Sequence, residues 1–167
     1  MIESNISNQR PYFFQFLYAG IMFNATAIYA MPANGTIFVE FIVPATKVMH
    51  LINRSITVDK GGPYTVELFE APTVTDGTTE FTCYNLDRRS TNLCTGIFYT
   101  NPTAVSGGTL LFRNLIATGD KKNGIGGSAA AGEFIYKANT KYVLRILNGS
   151  NEAATISLDY TWYESTN

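Results

Sequence analysis

The chain has 167 residues with 12 basic and 13 acidic side chains, a formal charge of -1 and 46% apolar residues. At roughly 150 residues per domain this is one domain, and a charged fraction of 15%, against a usual value of about 25%, leaves the surface nearly neutral. That balance excludes nucleic-acid binding driven by counterion release, and with it an acidic tail or a polybasic anchor.

Polarity is carried by 20 Thr and 14 Asn, and bulk by 10 Tyr and 11 Phe. Hydroxyl and aromatic side chains suit half-buried extended segments, so an all-β protein is expected. The first stretch of note is the uncharged run between Arg10 and Glu40, apolar from Phe13 to Met31. Gln15, Asn24 and Thr26 interrupt it, so it does not read as the run of about 20 predominantly apolar residues that a spanning helix needs, and no membrane contact is expected. Ala25-Thr26-Ala27 could serve as a small-residue cleavage site, but Glu3 and Arg10 leave the preceding region without net positive charge, so a signal peptide is not expected. Residues 1–35 are therefore read as an N-terminal arm, a strand-exchange or attachment segment, ahead of a domain over 36–167. Within the arm, Tyr12, Phe13, Phe14 and Phe16 are candidate contacts with another copy or with a partner surface.

Short extended runs separated by turn residues follow. Ile37, Val39, Phe41 and Val43 alternate up to Pro44. Val48, His50, Ile52, Arg54, Ile56 and Val58 form a second alternating set, which the turn at Asp59-Lys60-Gly61-Gly62-Pro63 ends. Further strands are expected over 64–69, 80–84, 95–99, 109–117 and 133–137. Gly119 to Gly132 carries five glycines and no apolar pattern, and reads as a long mobile loop. At the end, Tyr142, Leu144 and Ile146 alternate up to Asn148-Gly149-Ser150-Asn151, and Ile156, Leu158, Tyr160 and Trp162 then alternate with Ser157, Asp159 and Thr161. The pattern predicts a terminal hairpin with Ile156, Leu158, Tyr160 and Trp162 in the core. No window carries a sustained helical repeat. Eight to nine strands make an antiparallel two-sheet β-sandwich, jelly-roll-like, with an N-terminal arm.

Chemistry-bearing residues are sparse. With one histidine, His50, and two cysteines, Cys83 and Cys94, a metal site would have to recruit carboxylates, and none is expected. One possible bridge does not define a stapled secreted scaffold, so a reducing compartment is expected, and whether the two thiols meet stays open. Gly124-Ile125-Gly126-Gly127-Ser128-Ala129 matches a dinucleotide fingerprint by letters. No helix follows, however, and no acid stands about 20 residues on to grip a ribose, so no cofactor is expected. Glu67, Glu70 and Glu80 are scattered singles, and Glu67 and Glu70, three apart on one strand, point to opposite faces. No Gly-x-Ser-x-Gly elbow accompanies His50. No enzymatic activity is expected.

Several phrases carry a resemblance: Glu67-Leu68-Phe69-Glu70-Ala71-Pro72-Thr73-Val74, Asn85-Leu86-Asp87-Arg88-Arg89-Ser90, Gly132-Glu133-Phe134, and the run from Thr140 to Asn148 leading to Tyr160-Thr161-Trp162-Tyr163-Glu164. Over Ile37 to Glu164 they resemble a family of tailed-bacteriophage virion proteins, the head decoration or auxiliary capsid proteins, and the terminal Trp-Tyr-Glu is the most specific element. The resemblance implies a β-sandwich, often a homotrimer, that sits on the major capsid protein lattice and either cements capsomers or carries a head fibre. The place of action would be the virion surface, after assembly in the host cytoplasm. Arg88 and Arg89, in an expected loop, are the candidate contacts for acidic groups on the capsid or a neighbouring subunit. The alternative from a different class is a carbohydrate- or receptor-binding module of a phage tail or surface adhesin, with aromatic rings exposed in a groove.

Overall fold

The computed structural model describes residues 12–117, 124–128 and 134–166. In chain order the elements are α1 (Phe14–Tyr18), β1 (Met22–Met31), β2 (Thr36–Val43), β3 (Lys47–Val58), β4 (Pro63–Glu70), β5 (Thr73–Thr75), β6 (Thr79–Glu80), β7 (Cys83–Asn85), β8 (Ile97–Thr100), β9 (Thr103–Ser106), β10 (Thr109–Ala117), β11 (Gly124–Ser128), β12 (Phe134–Tyr136), β13 (Thr140–Asn148) and β14 (Ala154–Thr166). The fold is an all-β sandwich of two antiparallel sheets. One is ordered β7-β1-β14-β3, with β11 and β12 both pairing the far side of β3, and the other is ordered β10-β4-β13-β2-β8-β6. A two-stranded ribbon, β5 with β9, completes the described strands.

The long strands alternate between the sheets along the chain. β1, β3, β11 with β12, and β14 lie in one, and β2, β4, β10 and β13 in the other. Their order, β1-β14-β3-β11/β12 facing β2-β13-β4-β10, is that of a jelly roll, in which two Greek keys wind together. The expected terminal hairpin is corrected by this order. β13 pairs β2 and β4, while β14 pairs β1 and β3, so the turn after Asn148 carries the chain from one sheet to the other. The expected boundary at 35/36 is corrected as well. β1 pairs β14 from Met22↔Tyr163 to Met31↔Ala154, so residues 22–31 are part of the sandwich and not an arm offered to a neighbour.

Burial follows the period of two. Ile156, Leu158, Tyr160 and Trp162 are buried, while Asn24 on the other face of the sheet donates to Asp159 Oδ1, Tyr160 O and Thr161 Oγ1. Small residues of β1 stand opposite large ones of β14, Ala25 against Tyr160 and Ala27 against Leu158, which lets the rings fill the inter-sheet space. The centre of the core is aromatic. Phe98 lies 5.0 Å from Trp162, and Phe41 lies 5.1 Å from Tyr142 and 4.7 Å from Tyr136, spacings at which offset and edge-on rings attract.

In the two sandwich sheets, two register shifts among the described ladders break the period. In the β3–β14 ladder Thr161 faces Asn53 and Trp162 faces Leu51, so Ile52 is an inserted residue. In the β10–β4 ladder Leu110 faces Phe69 and Phe112 faces Leu68, so Leu111 is another. A bulge reverses which alternate set points inward. The expected single face from Val48 to Val58 is corrected accordingly: Met49 and Leu51 are buried before the bulge, Ile56 and Val58 after it. The glycine-rich segment is corrected at 124–128, which pairs β3 as β11. The remainder of that expectation lies outside the described residues. Among the described residues no helix is long and apolar enough to cross a membrane.

Candidate interaction surface

Two of the acidic residues weighed for catalysis, Glu67 and Glu70, pair with basic side chains, and the third, Glu80, is exposed on β6. Glu67, on the outer face of its sheet and 2% exposed, accepts from Arg113 Nε at 2.6 Å and pairs with Arg145. Burial pushes its carboxyl up, but the two guanidiniums outweigh this and hold it below the ordinary range. Glu70 accepts from Lys137 Nζ at 2.6 Å and from the Tyr142 hydroxyl at 3.1 Å, and the lysine holds its carboxyl low. Glu164, almost fully buried, accepts from Thr95 N, Gly96 N, Thr95 Oγ1 at 2.6 Å and Trp162 Nε1 at 3.2 Å. Among the described residues no cluster of three or more His, Cys, Asp and Glu could hold a metal ion.

The two regions singled out as contacts meet at one end of the sandwich. α1 contains no charged residue and is a single turn, too short to be stable alone. It is held by Phe16, whose ring stacks on Tyr163 at 3.7 Å and 10°. His50 stacks on the same Tyr163 at 4.3 Å and bonds Ser165 Oγ at 2.8 Å, so the lone histidine packs on the outer face of the sheet. Gly20 then turns the chain at φ +66°, where a Cβ would lie 2.3 Å from Ser90 Oγ. Its carbonyl accepts from Asn85 Nδ2 at 2.8 Å and Asn92 Nδ2 at 3.0 Å. These bonds fasten the end of α1 to the loop over residues 86–96.

The loop folds on its own polar groups. Asn85 Oδ1 accepts from Asp87 N, and Asp87 accepts from Arg89 N, Nε and Nη2. Arg89 in turn holds the Asp87 carboxyl below its ordinary range. The two arginines therefore differ. Arg89 closes its own turn, whereas Arg88 lies 5.8 Å from the Tyr84 ring and has no carboxylate partner among the described residues. Glu164 fixes the far end of the loop through Thr95 and Gly96. Cys83 and Cys94 are both free thiols and both point at the Gly96 carbonyl, at 3.8 and 3.6 Å. The neighbouring Cys94 and burial push the Cys83 thiol up.

Of the expected contact residues, Tyr12 and Phe13 are exposed, Phe14 is half-buried and Phe16 is the anchor. The sequence did not single out Tyr18, Tyr84, Leu86 and Leu93, which are also exposed, Leu93 at 84%. A leucine alone among Thr91, Asn92 and Thr95 was the available signal. Two adjoining hollows share Ser90. One, of about 290 Å³, is walled by Tyr84, Arg88 and Leu93, and the other, more open, by Tyr18, Asp87 and Arg89. The result is a surface of large apolar and aromatic side chains on which Arg88 is, among the described residues, the arginine without a carboxylate partner. No protein-family model matches the chain, and no curated protein matches it either.

Proposed function

We propose that the chain is a virion structural protein, a bacteriophage head decoration or auxiliary protein that binds the major capsid lattice as a homotrimer and cements it or anchors a head fibre. The observation that carries this reading is the end surface, where Tyr12, Phe13, Tyr18, Tyr84 and Leu93 stay exposed around Arg88. Aromatic residues and arginine are the types that dominate the energetics of protein contacts, and a concentration of exposed apolar side chains marks an interaction site. The jelly roll is an architecture that capsid proteins use, and the sequence phrases ending in Trp162-Tyr163-Glu164 point the same way. Three-fold symmetry would present the surface three times to a lattice, which multiplies a weak contact without new chemistry. Sedimentation equilibrium and co-sedimentation with heads of the encoding phage test the reading. The expected result is a trimer that pellets with heads and is released when Tyr12, Phe13 and Tyr18 are changed to serine. A monomer that never pellets with heads overturns it.

A second reading is favoured by Tyr84. Its half-exposed ring, beside Arg88, Thr91 and Asn92 in the same hollow, offers the flat face and polar rim that a saccharide uses. A glycan array separates the two readings: saturable glycan binding lost in Tyr84→Ala, with no attachment to heads, favours a carbohydrate-binding module.

A further inference from the structure

The two bulges act on one place. Past Ile52, Arg54 stands opposite Tyr160 and in phase with Ile56 and Val58, so it is directed between the sheets. Past Leu111, Phe112, Asn114 and Ile116 stand opposite Leu68, Val66 and Tyr64, three residues of the buried core. A guanidinium and a carboxamide thus take inner-face register positions, Arg54 half-buried and Asn114 exposed at the open rim between the sheets. Between β3 and β10 lies a cavity of about 270 Å³ lined by Arg54, Ile56, Val66, Phe112, Asn114 and Ile116.

Arg54 lies 4.2 Å from the Phe112 ring centroid and has no carboxylate partner among the described residues. Deeper in the core, the hydroxyls of Tyr136 and Tyr160 meet no hydrogen-bond partner. Burial pushes both phenols up, Tyr160 to about 12, and the charge of Arg54 offsets part of that rise. Buried polar groups are ordinarily paired with protein or with a bound molecule, and bulges commonly re-aim side chains beside functional sites.

We propose that this inter-sheet cavity binds a small organic monoanion, its carboxylate held by Arg54 and Asn114 and its apolar body lying on Phe112, Ile56, Val66 and Ile116. The chemistry selects the class. A guanidinium fork matches a planar carboxylate bidentately, whereas one cation is too few to offset the desolvation of a phosphate dianion. The volume sits just below the range of about 300–1,000 Å³ usual for small-molecule sites, which suits a single-ring acid and excludes a nucleotide. This inference does not depend on what the end surface binds.

Amide-resolved NMR of the full chain tests it, with benzoate, benzamide and inorganic phosphate as the probes. Benzoate is expected to give saturable shifts at Arg54, Phe112 and Asn114 in the low-millimolar range, with benzamide inert and phosphate weaker. Arg54→Met is expected to weaken benzoate by about tenfold or more, the loss of a charge-assisted pair. Asn114→Leu, which fills the cavity from the opposite strand and leaves Arg54 in place, is expected to abolish binding, and it keeps the test open if Arg54→Met does not fold. No saturable shift with benzoate overturns the proposal and leaves ordered water as the occupant. Equal binding of benzamide, tighter binding of phosphate, or an unchanged response in both variants also overturns it.

Discussion

Glu164→Gln should destabilise the fold far more than its isosteric shape suggests. The carboxylate takes four donors, from Thr95 N, Thr95 Oγ1, Gly96 N and Trp162 Nε1, and every one of them points a proton at it. A carboxamide offers one oxygen and replaces the other with an NH2 group that faces donors. At least one buried N–H then loses its acceptor, at about 1–3 kcal/mol, and the remaining bonds lose charge assistance worth several tenths of a kcal/mol each. The sum is about 3 kcal/mol, a large share of the roughly 8–25 kcal/mol expected for 167 residues at about 0.05–0.15 kcal/mol per residue. Urea unfolding should show the loss as a lower midpoint at unchanged slope. Hydrogen exchange should locate it, with the amides of Thr95 and Gly96 exchanging much faster while those of central β14 keep most of their protection. An unfolding free energy within about 0.5 kcal/mol of the parent, the range of an unremarkable surface change, would refute the reasoning, because it would mean the loop over 86–96 does not depend on this carboxylate.

Gly20→Ala places a Cβ in the left-handed region against Ser90, and should cost about 2 kcal/mol and shift the Tyr18 and Ser90 resonances together. Glu67 and Glu40 should give opposite pH responses. The Glu67 carboxyl is held low, so its stabilisation is complete above the ordinary carboxylate value and is lost as pH falls through its depressed folded value. Arg145→Met should therefore cost about 2 kcal/mol at neutral pH and noticeably less near pH 4 in urea titrations. Glu40 is fully buried with Lys141 Nζ at 3.4 Å, and burial pushes its carboxyl up, so its charged form opposes folding as pH rises past the ordinary carboxylate value. Glu40→Gln should be neutral or stabilising by up to about 1 kcal/mol at neutral pH, with the difference vanishing in acid. On the proposed role, Arg88→Glu should weaken attachment to phage heads, measured by co-sedimentation, without changing the melting temperature. Arg89→Glu should instead disturb the turn at Asp87, seen as shifted Asn85 and Asp87 amides.

The parts of the fold that could be read from the residues are those where a short β-prone run is bounded by turn residues. β10 falls on the expected residues 109–117, and β2, β4 and β13 fall within a residue or two of theirs. β1 was hidden because its outward positions include Met22, Ile28 and Ala30 beside the inward Phe23, Ala25 and Tyr29. An alternation that is apolar on both faces looks like an undifferentiated run. β3 misled because Arg54 is in phase with Val48 and His50 in the sequence, and only the extra residue at Ile52 puts it with Ile56 on the inside. A bulge leaves no mark in composition. Likewise, alternation identifies β13 and β14 as strands with one apolar face each, but a turn within one sheet and a turn between sheets use the same residues.

The end surface was half legible for a related reason. Its pieces, α1 and the loop over 86–96, are about 70 residues apart in the chain; Asn85 and Asn92 tie them to each other at the Gly20 carbonyl, and the end of β14 ties both to the sandwich. Consecutive residues of a strand point to opposite faces. Tyr163 therefore reaches the outer side of its sheet to hold Phe16, while Trp162 fills the core and Glu164 grips Thr95 and Gly96 on the inner side. Three adjacent residues thereby set the position of both halves of the surface relative to the sandwich. Trp-Tyr-Glu can be specific on this ground without touching any partner: changing Tyr163 frees the aromatic half, changing Glu164 frees the arginine half, and Trp162 ties both to the core. On the proposed role, Tyr163→Ala and Glu164→Gln should each weaken attachment to heads as much as the loss of a contact residue. Tyr12→Ser, which removes only an exposed ring, should weaken attachment without altering the exchange of the Thr95 and Gly96 amides.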